Sequence, residues 1–368
     1  MTPPDQVEGT PHPKETLQLY GQSEAEGAFL DAYVSGRLHH GWLLTGPRGI
    51  GKSTLAWSIA RFLLATPISD DDGLFGAPPP PTSLAVDPEH PIARRIAAGA
   101  EPGLKLITRS ENEKTGRLRD VISVEDIRGL NSFFQLSAAD GGRRVVIVDA
   151  ADEMNTQAAN ALLKMLEEPP EHAILLLISH QPSALLPTIR SRCRVLRLNT
   201  LSAQDMALAL AQSGFSDNAD TSALTELSGG SVGSAIRLST LDGLKLYSDL
   251  LRIVGSRSQF DREHAIRFAE SAAARGNEAK RDLLFDLLDI LLARLARTGA
   301  SGQPPKVEVA PKEAETLLRL AGTPYAGRQW AEVAQETSAR ARHGLSVNLD
   351  PAALVLDTLI RISQVQTH

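Results

Sequence analysis

Residues 42–45, 144–149 and 173–179 are apolar at almost every consecutive position, and the second run carries Val145, Val146, Ile147 and Val148 in a row. A segment with no polar face cannot lie half in water. These runs therefore predict strands of a parallel sheet buried on both faces. A further short strand is expected at 104–108. Between them the period changes. Residues 24–38, 52–64, 123–134 and 156–168 space their apolar positions as helices do, with Leu55, Ile59, Phe62 and Leu63 on one stripe of the second. Ser123 is placed to cap one of these helices, and Pro169-Pro170 ends another. Strand and helix alternate throughout, which predicts a doubly wound α/β domain. Residues 66–103 break the alternation with Asp70–Asp72 and Pro78–Pro81, and read as a loop or inserted excursion.

Beyond residue 198 the strand signal fades. Helices are expected at 202–213, 221–227 and 231–238, around Gly229-Gly230. From 241 onward the pattern is helical. Leucines at 283, 284, 287, 288, 291, 292 and 295 mark a helix over 277–297, and residues 299–305 read as a linker. Asp350 followed by Pro351 gives the last helix an N-cap and a first-turn proline. Residues 1–16, rich in Pro, Glu and Thr, read as a flexible lead-in. The expected division is 1–16, an α/β domain over 17–198, a small helical domain over 199–240 and a helical domain over 241–368.

Composition narrows the class. The chain has 368 residues, 42% hydrophobic and 22% charged, which is ordinary globular usage. Lys plus Arg number 38 against 44 for Asp plus Glu, a net charge of −6. No overall basic field exists to hold nucleic acid, so DNA contact would need a local patch or a partner. Arg94-Arg95, Arg128 and Arg143-Arg144 are candidates for such a patch, though each reads more readily as surface charge than as a DNA ligand. Cys193 is the one cysteine. It excludes an internal disulfide and any cysteine cluster for zinc or iron–sulfur, and suits a reduced, cytoplasmic compartment. No run approaches the ~20 apolar residues of a membrane span, and the N-terminus lacks a signal-peptide pattern.

The chemistry begins at Gly46-Pro47-Arg48-Gly49-Ile50-Gly51-Lys52-Ser53, with Thr54 behind it. The spacing is that of a phosphate-binding loop, and it follows a predicted strand and opens a predicted helix, as the motif requires. Backbone N–H groups of such a loop form an anion nest, and the helix N-terminus adds partial positive charge. Lys52 would reach the β- and γ-phosphates and Ser53 would ligate Mg²⁺. Asp149, at the end of a predicted strand beside the loop's own strand, would hold the same Mg²⁺ through water. A glycine-rich turn with no ligand, or a retained fold with decayed binding, stays open at this point. Ala150 follows Asp149 where hydrolysing enzymes of this kind place a glutamate. Asp152 and Glu153 come next and read as a solvated turn poorly placed to replace it.

Arg190, Arg192 and Arg194 form a cluster after the 173–179 strand. An arginine fork suits the equatorial oxygens of a phosphoryl group in a neighbouring subunit, and a solvated edge fits the same residues. His39-His40 show no metal-ligand spacing.

The loop at 46–53, the strand into Asp149, the block Asn160-Ala-Leu-Leu-Lys-Met-Leu-Glu-Glu-Pro-Pro170 and the triplet Ser191-Arg192-Cys193 occur in order. Together they resemble the AAA+ clamp-loader subunits of bacterial DNA polymerase III over residues 15–240, more weakly beyond. The resemblance implies an AAA+ core, a helical lid and a C-terminal collar that holds subunits in an arc. Ala150, and Gly233 where the lid motif Gly230-Ser231-Val232-Gly233 would carry an arginine, depart from the motor-type gamma/tau members. Both departures point to the delta-prime branch, which contributes an arginine finger and does not itself work as an ATPase. The resemblance then implies ATP or ADP with Mg²⁺ at residues 46–54 and Asp149, binding without hydrolysis. It implies Arg192 as a finger acting in trans, and gamma/tau, delta, the sliding clamp and primed DNA as partners in a hetero-oligomer. Relatives often carry a four-cysteine zinc module in the stretch corresponding to 66–103. This chain has no cysteine there, so no zinc is expected. An ATP-hydrolysing gamma/tau-type motor is the alternative, and a small-molecule kinase a more distant one.

Overall fold

A computed structural model describes residues 3, 5–68, 79–112, 115–135, 142–215, 220–256, 262–274, 276–347 and 349–365. Asp70–Asp72 lie outside them. The chain divides into two compact units, residues 1–214 with 231–233, and residues 215–230 with 234–368.

The first unit follows the alternation in the sequence: α1 (Ser23–Val34), β1 (Gly41–Thr45), α2 (Lys52–Ala65), α3 (Pro91–Ala97), β2 (Leu104–Ile107), α4 (Val124–Gln135), β3 (Arg144–Asp149), α5 (Thr156–Glu167), β4 (Ala173–Ser179), α6 (Pro187–Arg190), β5 (Arg194–Arg197) and α7 (Ala203–Gln212). The five strands form one parallel sheet in the order β2-β3-β4-β1-β5. Alternate residues of β1, β3 and β4 face opposite ways, and both sets are buried. Leu43, Val146, Val148, Leu175 and Leu177 pack with Ile127 and Leu130 of α4 and Leu162 and Leu166 of α5. Trp42, Leu44, Val145, Ile147 and Leu176 take the other side, where α2 lies against β1, β3 and β4.

Three elements here were not expected: the short α6, α3 and β5. The 66–103 stretch contains α3, started by His90, whose ring accepts from the Ile92 N–H, and by Pro91 at the first position. β5 is an edge strand in which only Leu196 is buried, so its sequence shows no apolar run. Ser123 does stand before α4, where Asp126 accepts both its backbone N–H at 2.8 Å and its hydroxyl at 2.7 Å. The lead-in is packed rather than loose over its described part. The His12 ring meets Trp57 of α2 edge-on, and Arg61 donates to the Lys14 carbonyl at 2.8 Å.

The second unit is helical: α8 (Thr221–Ser228), α9 (Val232–Thr240), α10 (Gly243–Val254), α11 (Arg262–Ala273), α12 (Glu278–Ser301), α13 (Glu313–Leu320), α14 (Pro324–Ser346) and α15 (Pro351–Val365). Asp350 caps α15 by accepting the Ala353 N–H at 3.1 Å. The leucines of α12 are buried as a set. The linker expected at 299–305 is corrected at its start, because α12 continues to Ser301 and Gly299 is buried inside it. Gly299 lies against Gly327 of α14, and a Cβ on Gly299 would come within 2.6 Å of the Gly327 nitrogen. The glycines let two helix backbones touch, which a side chain on either would prevent. Gly299→Ala and Gly327→Ala should each destabilise this unit by about 1–3 kcal/mol, as overpacked cores do. Urea unfolding should show a lowered midpoint for both, whereas a true linker glycine would leave it unchanged.

Candidate nucleotide-binding site

Sheet register brings the candidate residues together. Thr45 pairs with Ser179, and Asp149 pairs with Ile178, so the carboxyl ends of β1, β4 and β3 stand side by side. This is where open α/β sheets bind ligands. The structure corrects one expectation, since β3 is not beside β1 and β4 runs between them. Across that gap the Ser53 hydroxyl donates to Asp149. Both residues are thus placed to share one Mg²⁺.

The loop at 46–53 turns through Gly46, Gly49 and Gly51, all at positive φ. Pro47 and Arg48 are exposed at its tip, Ile50 is buried beneath it, and Thr54 is half-buried in the first turn of α2. Lys52 is folded into the loop and donates to the carbonyls of Gly46 at 2.7 Å and Pro47 at 2.5 Å. Burial draws its ammonium down to about 8, against the pull of Asp149 and Asp152. Burial likewise pushes the Asp149 carboxyl up to about 6, opposed by the Ser53 hydrogen bond and reinforced by the charge of Asp5. Gln22, which the sequence did not single out, ties the loop down. Its amide donates to the carbonyls of Ile50 at 3.1 Å and Asn199 at 2.8 Å and accepts the Asn199 N–H at 3.0 Å.

Ala150 is buried, with no polar side chain to offer. The two carboxylates after it are engaged rather than merely solvated, which corrects the expectation of a free turn. Asp152 accepts the backbone N–H groups of His180 and Gln181, both at 3.0 Å. Glu153 pairs with Arg109 at 2.9 Å and Arg48 at 3.5 Å.

Two further groups at the end of β4 were missed by the sequence reading. The Ser179 hydroxyl is completely buried, the His180 Nδ1 atom is also buried, and neither has a hydrogen-bond partner. Burial, then the Lys52 charge, draws the His180 imidazole down to about 4. Buried polar atoms are seldom left unpaired, and these sit at the strand ends that flank the loop. A phosphate ligand with Mg²⁺ fits this donor set: left-handed glycines, a buried ammonium, a hydroxyl–carboxylate pair and orphaned polar atoms.

The turn at 231–233 packs directly on the loop. Ser231 donates to the Arg48 carbonyl at 2.8 Å, and the Gly233 N–H to the Gly49 carbonyl at 3.0 Å. A Cβ on Gly49 would lie 2.5 Å from the Ser231 hydroxyl and 3.1 Å from the Gly233 Cα. A Cβ on Gly233 would come 3.2 Å from the Gly49 Cα, so a larger residue there would press on the loop. Arg237, one turn further along α9, pairs with Asp286 at 2.7 Å.

Arg192 follows α6. Its guanidinium pairs with Glu167 at 2.8 Å and donates to the Thr188 carbonyl at 3.1 Å, with about a third of the side chain exposed. Arg194 lies over the Trp42 ring at 5.3 Å. Cys193 is half-buried, and burial pushes its thiol up to about 12. His40 hydrogen-bonds the Leu166 carbonyl at 2.9 Å, a structural use of that residue. Of the candidate DNA contacts, Arg94 and Arg95 pair with Glu89 and Glu101. Arg143 donates to the Thr66 carbonyl at 2.6 Å and Arg144 to that of Phe133 at 2.7 Å. Arg128 instead lines a groove of about 500 Å³ between α4 and α5, with Asn131, Gln157, Asn160 and Lys164.

A family described as "DNA polymerase III, delta subunit" matches residues 21–202, the stretch that holds the loop, Asp149 and Arg192. Residues 21–202 belong to this family. A DNA polymerase III subunit delta' from Pseudomonas aeruginosa is 42% identical over 154 residues, covering 42% of this chain and 41% of that protein. A subunit tau from Escherichia coli is 32% identical over 194 residues, covering 53% of this chain and 27% of that protein. The chain thus matches well under two thirds of the length of these relatives. Among solved structures, a gamma-subunit-related protein from Thermotoga maritima is 19% identical and covers 92% of this chain and 99% of its own, with a TM-score of 0.40. No helix among the described residues is long and apolar enough to cross a membrane.

Proposed function

We propose that this chain is a delta-prime-like subunit of the DNA polymerase III clamp loader, helping to place the sliding clamp on primed DNA. In this reading residues 17–198 are the AAA+ core, 199–240 the lid and 241–368 the collar that joins gamma/tau and delta subunits into a hetero-oligomer. The observation that carries it is the state of the acidic side of the site. Asp149 is in place with Ser53, but Ala150 is apolar, and Asp152 and Glu153 are already bonded to other groups. Such a site can hold Mg²⁺ and nucleotide but has no base with which to start hydrolysis.

Gly46 to Thr54 would hold the phosphates, with Ser53 and Asp149 on the metal. When bound, the Mg²⁺ supplies charge to neutralise the phosphate oxygens. Arg192 is the residue offered outward. Glu167 and the Thr188 carbonyl satisfy part of its fork, and the remaining N–H groups are available to a phosphate of the adjacent gamma/tau subunit. The gamma/tau-type motor reading is disfavoured by Ala150 and by Gly233, which stands where the lid motif would carry an arginine.

Mixing the purified chain with a gamma-type ATPase subunit and a delta subunit tests assembly directly. A stable complex should elute as one species that loads clamps. Failure to co-elute, with each protein folded, would remove the proposal.

A further inference from the structure

The packed lead-in lies against the phosphate loop. Asp5 is close enough to Asp149 for its charge to help hold that carboxyl up. The Val7 Cγ2 lies 3.4 Å from the point a Cβ on Gly233 would take, beside Gly49. Two residues of extended chain span at most roughly 7 Å. Residues 5–7 therefore lie beside the Gly49–Gly233 contact, with the Asp5 charge within electrostatic reach of Asp149. The segment is pinned on both flanks. His12 accepts the Lys14 N–H through Nδ1, so its Nε2 carries the proton that faces Asp5 at 3.2 Å. The same ring rests on Trp57. Further on, Leu19 packs within 2.7 Å of where a Cβ on Gly51 would lie. Turns at Thr10 and Glu15 give the segment its shape.

The fit is incomplete in an informative way. The Asp5 side chain is 1% exposed, yet among the described residues neither of its oxygens finds a well-aligned hydrogen-bond donor, and His12 is its one ion-pair partner. A desolvated carboxylate without hydrogen bonds is destabilising. Leaving the site would restore its hydration. Val7, meanwhile, is partly exposed. The segment is therefore held by contacts that a competing ligand can replace, and its charge has the same sign as a phosphate.

We infer that residues 5–12 act as a built-in competitor for nucleotide, with Asp5 and Val7 as the residues that set the affinity of the phosphate loop. This rests on the nucleotide-binding reading of residues 46–54 and Asp149. A nucleoside triphosphate with Mg²⁺ must displace the segment, so the resting chain binds it more weakly than the loop alone allows. Asp5 opposes the ligand by charge, and Val7 by occupying space beside Gly49.

The full chain and its Asp5→Asn/Val7→Ser variant should be titrated with a fluorescent ATP analogue in Mg²⁺, with Lys52→Ala in each background as the blank. The double variant should bind about 5–10-fold more tightly, and His12→Ala should move the same way by a smaller factor. Hydrogen–deuterium exchange of the amides at 46–53, without nucleotide, should rise in the double variant and not elsewhere in the sheet. Equal or weaker binding by the double variant, with wild-type binding intact, overturns the competitor and leaves the nucleotide reading standing. Faster exchange at 46–53 with no binding in any background overturns both.

Discussion

Arg192→Ala is expected to leave this chain folded and able to assemble, and to remove most of the ATP turnover that depends on it in a neighbouring subunit. An arginine supplied to a phosphoryl-transfer site contributes about 10³–10⁵ in rate, and a complex with several sites would lose the share of the served site. The side chain is partly exposed and makes one ion pair, with Glu167, and a bond to the Thr188 carbonyl. Exposed pairs contribute about 0–1 kcal/mol, so its removal should barely change stability. Arg192→Lys should fail in the same way, because an ammonium cannot present the planar fork. Arg190→Ala is the clean control. Arg194→Ala is a second control, but it also removes the guanidinium stacked on Trp42, so a small stability loss is expected there. The measurement is clamp- and DNA-stimulated ATPase of the reconstituted complex. Wild-type turnover with Arg192→Ala, or an equal loss with Arg190→Ala, would show the cluster to be a charged edge.

The second large effect belongs to the helical unit. Glu313 is fully buried at the start of α13 and accepts four bonds: from the Tyr247 hydroxyl at 2.5 Å, from Arg294 at 2.8 and 3.1 Å, and from the Val309 N–H at 2.7 Å. Arg294, itself buried in α12, also reaches Glu226 of α8 at 2.7 Å and the Val307 carbonyl at 2.8 Å. One carboxylate and one guanidinium thus join α8, α10, α12 and α13. The burial of Tyr247 and the adjacent Glu313 charge hold its phenol well above the usual range, so it stays a neutral donor. Removing one partner leaves the other charge buried and unpaired, which costs about 3–5 kcal/mol. Glu313→Ala should lower the unfolding midpoint of the chain sharply, and Glu313→Gln should do so less. Replacing Arg294, Glu313 and Tyr247 together with apolar residues should recover much of the loss. If Glu313→Ala unfolds like wild type, the network is not what holds these helices.

Much of this was legible because the relevant signals are local. β3 and β4 could be read from unbroken apolar runs, and the phosphate loop from eight consecutive residues. The cap of α15 was visible in Asp350-Pro351. What escaped depends on contacts between distant positions. Gln22 acts through Asn199, and Asp152 caps the end of β4 through His180 and Gln181. Nothing near Glu313 in sequence distinguishes it from a solvated helical glutamate. Gly299 was misread because glycine signals a linker and a helix crossing equally well, and only Gly327 opposite decides between them. β5 was hidden because an edge strand with one buried residue has no apolar run. The lead-in looked loose by composition, although His12 and Leu19 pack it against α2 and the loop.

The central claim is that the loop holds nucleotide and the chain does not turn it over. The most direct test incubates the isolated chain with Mg²⁺ and γ-labelled ATP at saturating concentration, then follows both retained label and released phosphate. The structure predicts saturable, Mg²⁺-dependent retention of intact triphosphate that Lys52→Ala abolishes, with phosphate release far below that of a motor-type subunit. Sustained phosphate release at a motor's rate would contradict it, and would mean that a group other than position 150 orients the attacking water.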